Sequence, residues 1–252
     1  MPIAYSLSPP QDFLKQTLSM IDFTVWDQLL RQYVDKNGRV NYQDWSQQSS
    51  QTLMNWLWTV EQLDPKSLSN PDEQLALWIN LYNASVIASI LARYPINSIL
   101  PRIFGIPNWL AFLWFFSHPL PPNRRYSLNQ IEHKILRRDF NEPRIHFALV
   151  CAAIGCPLLR TGAYWAESVR SQLEEDASRF INNPDKVRYE PSNQTLYCSR
   201  IFKWYGDDFL KVADSIPDYI RTYLNTESAI ASDTPIIYLD YDWTLNDQRI
   251  SS

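Results

Sequence analysis

The chain has 252 residues, with 23 Lys and Arg against 27 Asp and Glu and a formal net charge of −4. That length suits one large domain or two small ones, and its scattered cations exclude the basic footprint that a nucleic-acid partner requires. Three cysteines cannot all pair with one another, and a chain of this size needs no disulfide framework, so mostly reduced thiols and a cytoplasmic location are expected.

In chain order, residues 1–10 lack a basic start followed by an apolar run, so no signal peptide is expected. Residues 11–34 carry apolar side chains at helical spacing, and Asp35–Tyr42 reads as a polar turn with Gly38 at its apex. Asp35, Asn37 and Asn41 loosely suggest a calcium loop, but the required glycine position and terminal glutamate are missing. A second helix is expected over 46–62. A third, over 70–94, is opened by Asn70 as cap, Pro71 at the first turn and the acidic Asp72-Glu73, and Pro95 stops it. Asn80 and Asn83 stand three apart on one face of this helix. They either tie it to a neighbouring loop or line a polar pocket.

The apolar stretch 103–116 is too short to span a bilayer, which takes roughly 20 residues. Its aromatic half, 109–116, packs into the core or a homodimer contact, or forms an exposed interfacial or partner-binding patch. Residues 127–138 read as a helix capped by Ser127, on which Glu132 and His133 project about 100° apart. Residues 144–151, apolar and bounded by Pro143 and Gly155, are predicted to form a buried strand followed by a loop carrying Cys156. A helix over 164–181, a hairpin over 187–199, a helix over 218–225 and a last strand over 236–246 follow. Cys198, at a strand end, reads as inert packing. The sum is one α+β domain: helices on a small, mainly antiparallel sheet, with residues 1–69 as a helical extension packed on 70–252.

Four segments in order, Trp78–Ala84, Ile131–Arg137, Glu142–Pro157 and Phe202–Tyr205 with Asp208-Phe209, resemble the domain-of-unknown-function 547 family over roughly residues 70–250. The family's activity is not settled. The resemblance implies a fold similar to papain-like or transglutaminase-like cysteine peptidases, hence a Cys–His site. Plant members keep matches to Glu132, His133 and Cys151 while often lacking those of His146 and Cys156. On these motifs Tyr82, Trp204 and Tyr205 join Asn80 and Asn83 as expected binding residues.

A regular strand would put His146 and Cys151 on opposite faces, roughly 16 Å apart, so they would not pair directly. Two pairings stay open: Cys151 with His133, favoured by the family pattern, and Cys156 with His146, favoured by loop exposure. In either, the histidine would take the thiol proton. Glu132 or Asp240 would orient the imidazole, and Asn80 or Asn83 would donate to an oxyanion. The expected reaction is acyl transfer or hydrolysis of an amide or thioester, with a small peptide or thiol as ligand and no cofactor. Three other readings compete: a zinc site of His146, Cys151 and Cys156, which lacks the usual short paired spacing; a redox Cys151–Cys156 disulfide; and a non-catalytic scaffold using 109–116.

Overall fold

The protein is described by a computed structural model over residues 21–118 and 125–250. The expectations for 1–20 fall outside the described residues. Three helices, α1 (Thr24–Tyr33), α2 (Tyr42–Gln48) and α3 (Ser50–Glu61), surround α4 (Pro71–Leu91). As predicted, the Asn70 side chain accepts from the Asp72 amide and Pro71 opens α4. Every α4 residue from Leu75 to Leu91 is buried, so over that length the helix has no solvent-exposed face. It is long and apolar enough to cross a membrane, yet 94% of the relevant window lies inside the fold, which makes it a core helix. Trp26 stacks on Trp56, and Tyr33 on Trp45. Helices α1–α3, α4 and the 148–159 segment share one hydrophobic cluster.

After α4 comes a small hairpin, β1 (Arg102–Ile103) and β2 (Ile106–Pro107), then α5 (Trp109–Ser117). The predicted 127–138 helix is present with π geometry over Gln130–Leu136, running into the short α6 (Arg137–Asp139). A reciprocal capping box opens it: Gln130 Oε1 accepts from the Ser127 amide, and Ser127 Oγ from the Gln130 amide. Helix α7 (Val169–Ile181) leads to β3 (Val187–Glu190) and β4 (Thr195–Cys198), then α8 (Ile201–Trp204), α9 (Gly206–Phe209), α10 (Ile216–Arg221) and β5 (Ile236–Tyr238). β3 and β4 pair antiparallel and β5 joins β4 in parallel. The α+β class therefore holds. The last strand is shorter than the expected 236–246, because residues 242–246 leave the sheet and run beside the 152–155 loop instead.

The main correction concerns 144–151. Residues Pro143–Phe147 form a 3-10 turn, not a strand. Pro143 occupies its first turn, Glu142 caps the Arg144 amide, and the Ala148 amide bonds back to Ile145. Beyond the turn, Asn83 supplies what a neighbouring strand would have supplied: its Nδ2 donates to the Ala148 carbonyl and its Oδ1 accepts from the Val150 amide, both at 3.0 Å. Buried backbone groups must be paired, and here a helix-borne amide does it. The strand alternation that separated His146 from Cys151 therefore does not apply.

Candidate thiol site

Cys151 and Cys156 are joined by a disulfide across a short loop, with Cα atoms 6.4 Å apart. The late segment of the chain straps that loop. The Ile154 and Gly155 amides donate to the Thr244 and Asp242 carbonyls, each at 2.8 Å, and the Asn246 amide donates to Ala152 at 3.0 Å. Ala152 takes a positive φ of 67°, a conformation uncommon for a residue with a Cβ. From the other side, Lys186 Nζ donates to the Ile154 carbonyl at 2.6 Å, and burial brings its ammonium down to about 8.

Gly155 sets the next contact. A Cβ there would lie 2.7 Å from the Tyr241 ring and 2.9 Å from the Asp242 carbonyl, so only glycine lets that ring approach. The Tyr241 hydroxyl consequently reaches the sulfurs: it donates to Cys156 Sγ at 3.1 Å and stands 3.6 Å from Cys151 Sγ. The Cys151 amide also donates to Cys156 Sγ, at 3.1 Å. Two donors thus converge on one sulfur. Burial pushes the Tyr241 phenol up, well above its ordinary range, so it stays protonated and able to donate. Cys156 is buried, whereas Cys151 is only half-buried.

Behind Tyr241 lies a buried polar cluster. Glu132 accepts from the Tyr205 hydroxyl at 2.6 Å and from the Tyr82 hydroxyl at 3.2 Å. Burial raises both phenols. His146 stacks on the Tyr205 ring, 3.8 Å between centroids, and its Nε2 lies 2.8 Å from Asp208 Oδ2. Burial lowers His146 below its ordinary 6.5, against the pull of Asp208, so the neutral ring donates its Nε2 proton to the carboxylate. For Asp208, burial opposes ionisation, but hydrogen bonds from His146, Arg137 and Lys211 outweigh it and hold the carboxyl far below the usual range.

The expected residues are therefore only partly brought together. Glu132, Tyr82, Tyr205 and His146 form one cluster, and Cys151 and Cys156 are bonded to each other. His133 is exposed and accepts from Arg137 Nη1 at its Nδ1, 2.9 Å away. Among the described residues no histidine makes a hydrogen bond to either sulfur, so neither expected Cys–His pair is assembled. The reason is visible in the helix: the Arg137 amide bonds to the Glu132 carbonyl five residues back, and this register turns Glu132 inward and His133 outward. Asp240 is fully exposed and pairs with Arg200, so it orients no imidazole; Asp208 does. Asn80 is not free to meet an oxyanion: its Oδ1 accepts from Trp26 and from the Tyr164 amide while its Nδ2 donates to the Tyr164 carbonyl. Asn83 is occupied as described above. Trp204 is 44% exposed and packs on Tyr241 and Trp243. Cys198 is buried and free, its thiol pushed up to about 12 by burial.

Sequence reasoning missed the roles of Tyr241 and Asp208, although the latter sat inside a recognised motif. Among the described residues no three His, Cys, Asp or Glu side chains converge as a metal site. A surface cavity of about 460 Å³ lies elsewhere, lined by Arg31, Arg160 and Arg179, all of which are paired with carboxylates.

No curated protein and no solved structure matches the chain. A family model does match, over residues 65–181, which include α4, the Glu132 helix and both bonded cysteines; its description is protein of unknown function, DUF547, and the match supports placing this part of the chain in that family.

Proposed function

We propose that the Cys151–Cys156 pair is a thiol–disulfide exchange centre in which Cys151 is the sulfur attacked and Cys156 the leaving group. The observation that carries this reading is the convergence of the Tyr241 hydroxyl and the Cys151 amide on Cys156 Sγ, the less accessible sulfur. An incoming thiolate attacks Cys151 Sγ and forms a mixed disulfide. The Cys151–Cys156 bond breaks, and its electron pair goes to Cys156 Sγ, where the two donors meet the new charge. Hydrogen bonds to the charged form lower a pKa, and a leaving thiol of lower pKa departs faster. A second thiolate then attacks the external sulfur, releasing an external disulfide and the Cys151 thiolate. Two external thiols have been oxidised, the pair has been reduced, and the protons lost by the external thiols end on the two cysteines.

A second reading uses the reduced pair. With Cys151 only half-buried, acyl transfer or hydrolysis of an amide or thioester is the alternative chemistry of this thiol, and the papain-like or transglutaminase-like fold belongs with this reading. It lacks a histidine in contact with sulfur, which is why exchange ranks above it. A small thiol or thiol-bearing peptide is the proposed ligand class for exchange.

Mixed-disulfide trapping tests the proposal. Cys156→Ser incubated with oxidised glutathione is expected to accumulate a glutathione adduct on Cys151, read by mass spectrometry without reductant, while the native pair is reduced by dithiothreitol without unfolding. Absence of the adduct together with a pair that resists dithiothreitol in the folded protein would overturn the exchange reading. An acyl adduct on Cys151 of the reduced protein after treatment with p-nitrophenyl acetate, with no mixed disulfide, would move the assignment to acyl transfer.

A further inference from the structure

The strongest feature outside the thiol site is the tip formed by the β1–β2 hairpin and α5. Its turn residues Phe104 and Gly105 both take positive φ, 49° and 81°, the pattern of a type I′ turn, in which Asn or Asp with Gly is favoured. Phenylalanine at such a position is costly for the backbone, and Phe104 recovers nothing by packing because it is 100% exposed. Beside it Ile106 is 71%, Trp109 50%, Leu110 80% and Leu113 56% exposed. Trp109, Leu110 and Leu113 recur at helical spacing on one side of α5, while Phe112, Phe115 and Phe116 pack against the core. Five of the most exposed large apolar side chains among the described residues thus lie within ten positions. Scattered surface leucines need no explanation; a contiguous set does.

Charge indicates what covers this tip. Residues 74–131 contain four arginines and no aspartate or glutamate, in a chain whose net charge is −4. Arg102, exposed at the base of the hairpin, flanks the apolar side chains directly, and the Arg93 guanidinium lies 4.9 Å over the Phe115 ring on the inner side of α5. Trp109 and Phe112 also pack on Trp243, beside which Asp240 and Asp242 are exposed, Asp240 paired with Arg200. The tip's own segment carries arginine and no carboxylate, and an apolar edge of Trp, Phe and Leu of that kind complements an anionic lipid surface, into whose headgroup layer such side chains insert. We propose that the 104–113 tip is a peripheral docking site for an anionic lipid bilayer, lying in the interface without crossing it. This inference stands independently of the thiol chemistry.

Sedimentation of the full chain with phosphatidylcholine vesicles, with and without phosphatidylserine, tests it. Retention is expected on vesicles containing phosphatidylserine, about ten-fold weaker on phosphatidylcholine alone, and reduced by added salt. Arg102→Ala should weaken retention about five-fold. Phe104→Asp combined with Leu110→Asp should abolish it with an unchanged melting temperature, since both side chains are exposed. A wild-type chain left in the supernatant by both vesicles overturns the proposal, as does equal retention of the double variant. A dimer in sedimentation velocity that the double variant dissociates, without vesicle retention, would also overturn it and assign the tip to a second copy of the chain.

Discussion

Replacing Tyr241 by Phe removes a single oxygen atom, the one that stands 3.1 Å from Cys156 Sγ. The ring itself is held by Trp204 at 4.8 Å and Trp243 at 4.5 Å, so the phenyl group keeps its place and the fold should survive. A hydrogen bond to a charged group contributes about 1.5–3 kcal/mol. Sulfur carries its charge diffusely, and the Cys151 amide remains as a second donor, so the lower end of that range applies. At about 1.4 kcal/mol per pKa unit, the Cys156 thiol of the reduced variant should titrate about one unit higher than in the wild type. The direction follows from which form is stabilised: the donor favours the thiolate, so its loss raises the pKa. The assay is thiolate ultraviolet absorbance of the reduced protein across the thiol titration range, with Cys156→Ser subtracted to isolate this sulfur. An unchanged or lowered midpoint would refute the account of Cys156 as a stabilised leaving group.

Two further outcomes follow from the buried polar groups. His146 titrates below its ordinary 6.5 in the fold, so as pH falls through that value the unfolded chain takes up a proton that the folded chain resists; stability must drop, and His146→Gln should flatten the urea midpoint between about pH 7 and about pH 5. Equal pH slopes for the two proteins would be inconsistent with a buried neutral imidazole. Asn83→Ala strands the Ala148 carbonyl and the Val150 amide and should cost about 2–6 kcal/mol in urea unfolding, at about 1–3 kcal/mol for each unsatisfied group; a loss under about 1 kcal/mol would mean that those groups find other partners.

Local signals were legible where local physics decides the outcome. The Asn70-Pro71 start of α4 and the β3–β4 hairpin could be read because caps and turns depend on a few neighbouring residues, and Cys198 because a thiol at a strand end packs inward. Residues 144–151 misled for the converse reason. Their composition is that of a strand, but Asn83, more than sixty positions earlier, supplies their hydrogen bonds, and a distant side chain leaves no trace in local periodicity. The same holds for the site. Glu132 and His133 were correctly seen to diverge, yet which of them faces inward was set by the π register of their helix. The partners of His146 and Cys156 come from Asp208 and Tyr241, which only tertiary packing brings near.

The strap across the disulfide loop also has a history in time. Tyr241 follows Cys156 by 85 positions, and Asn246, which holds Ala152, meets Tyr42 across 204. At about 5–20 residues per second of synthesis, the two cysteines leave the ribosome on the order of ten seconds before the phenol that tunes them. During that interval they are ordinary thiols, open to any oxidant and lacking the hydroxyl donor to Cys156. The hydrogen-bonding environment on which the proposed exchange chemistry rests is thus assembled late in biogenesis, when the 241–246 segment docks.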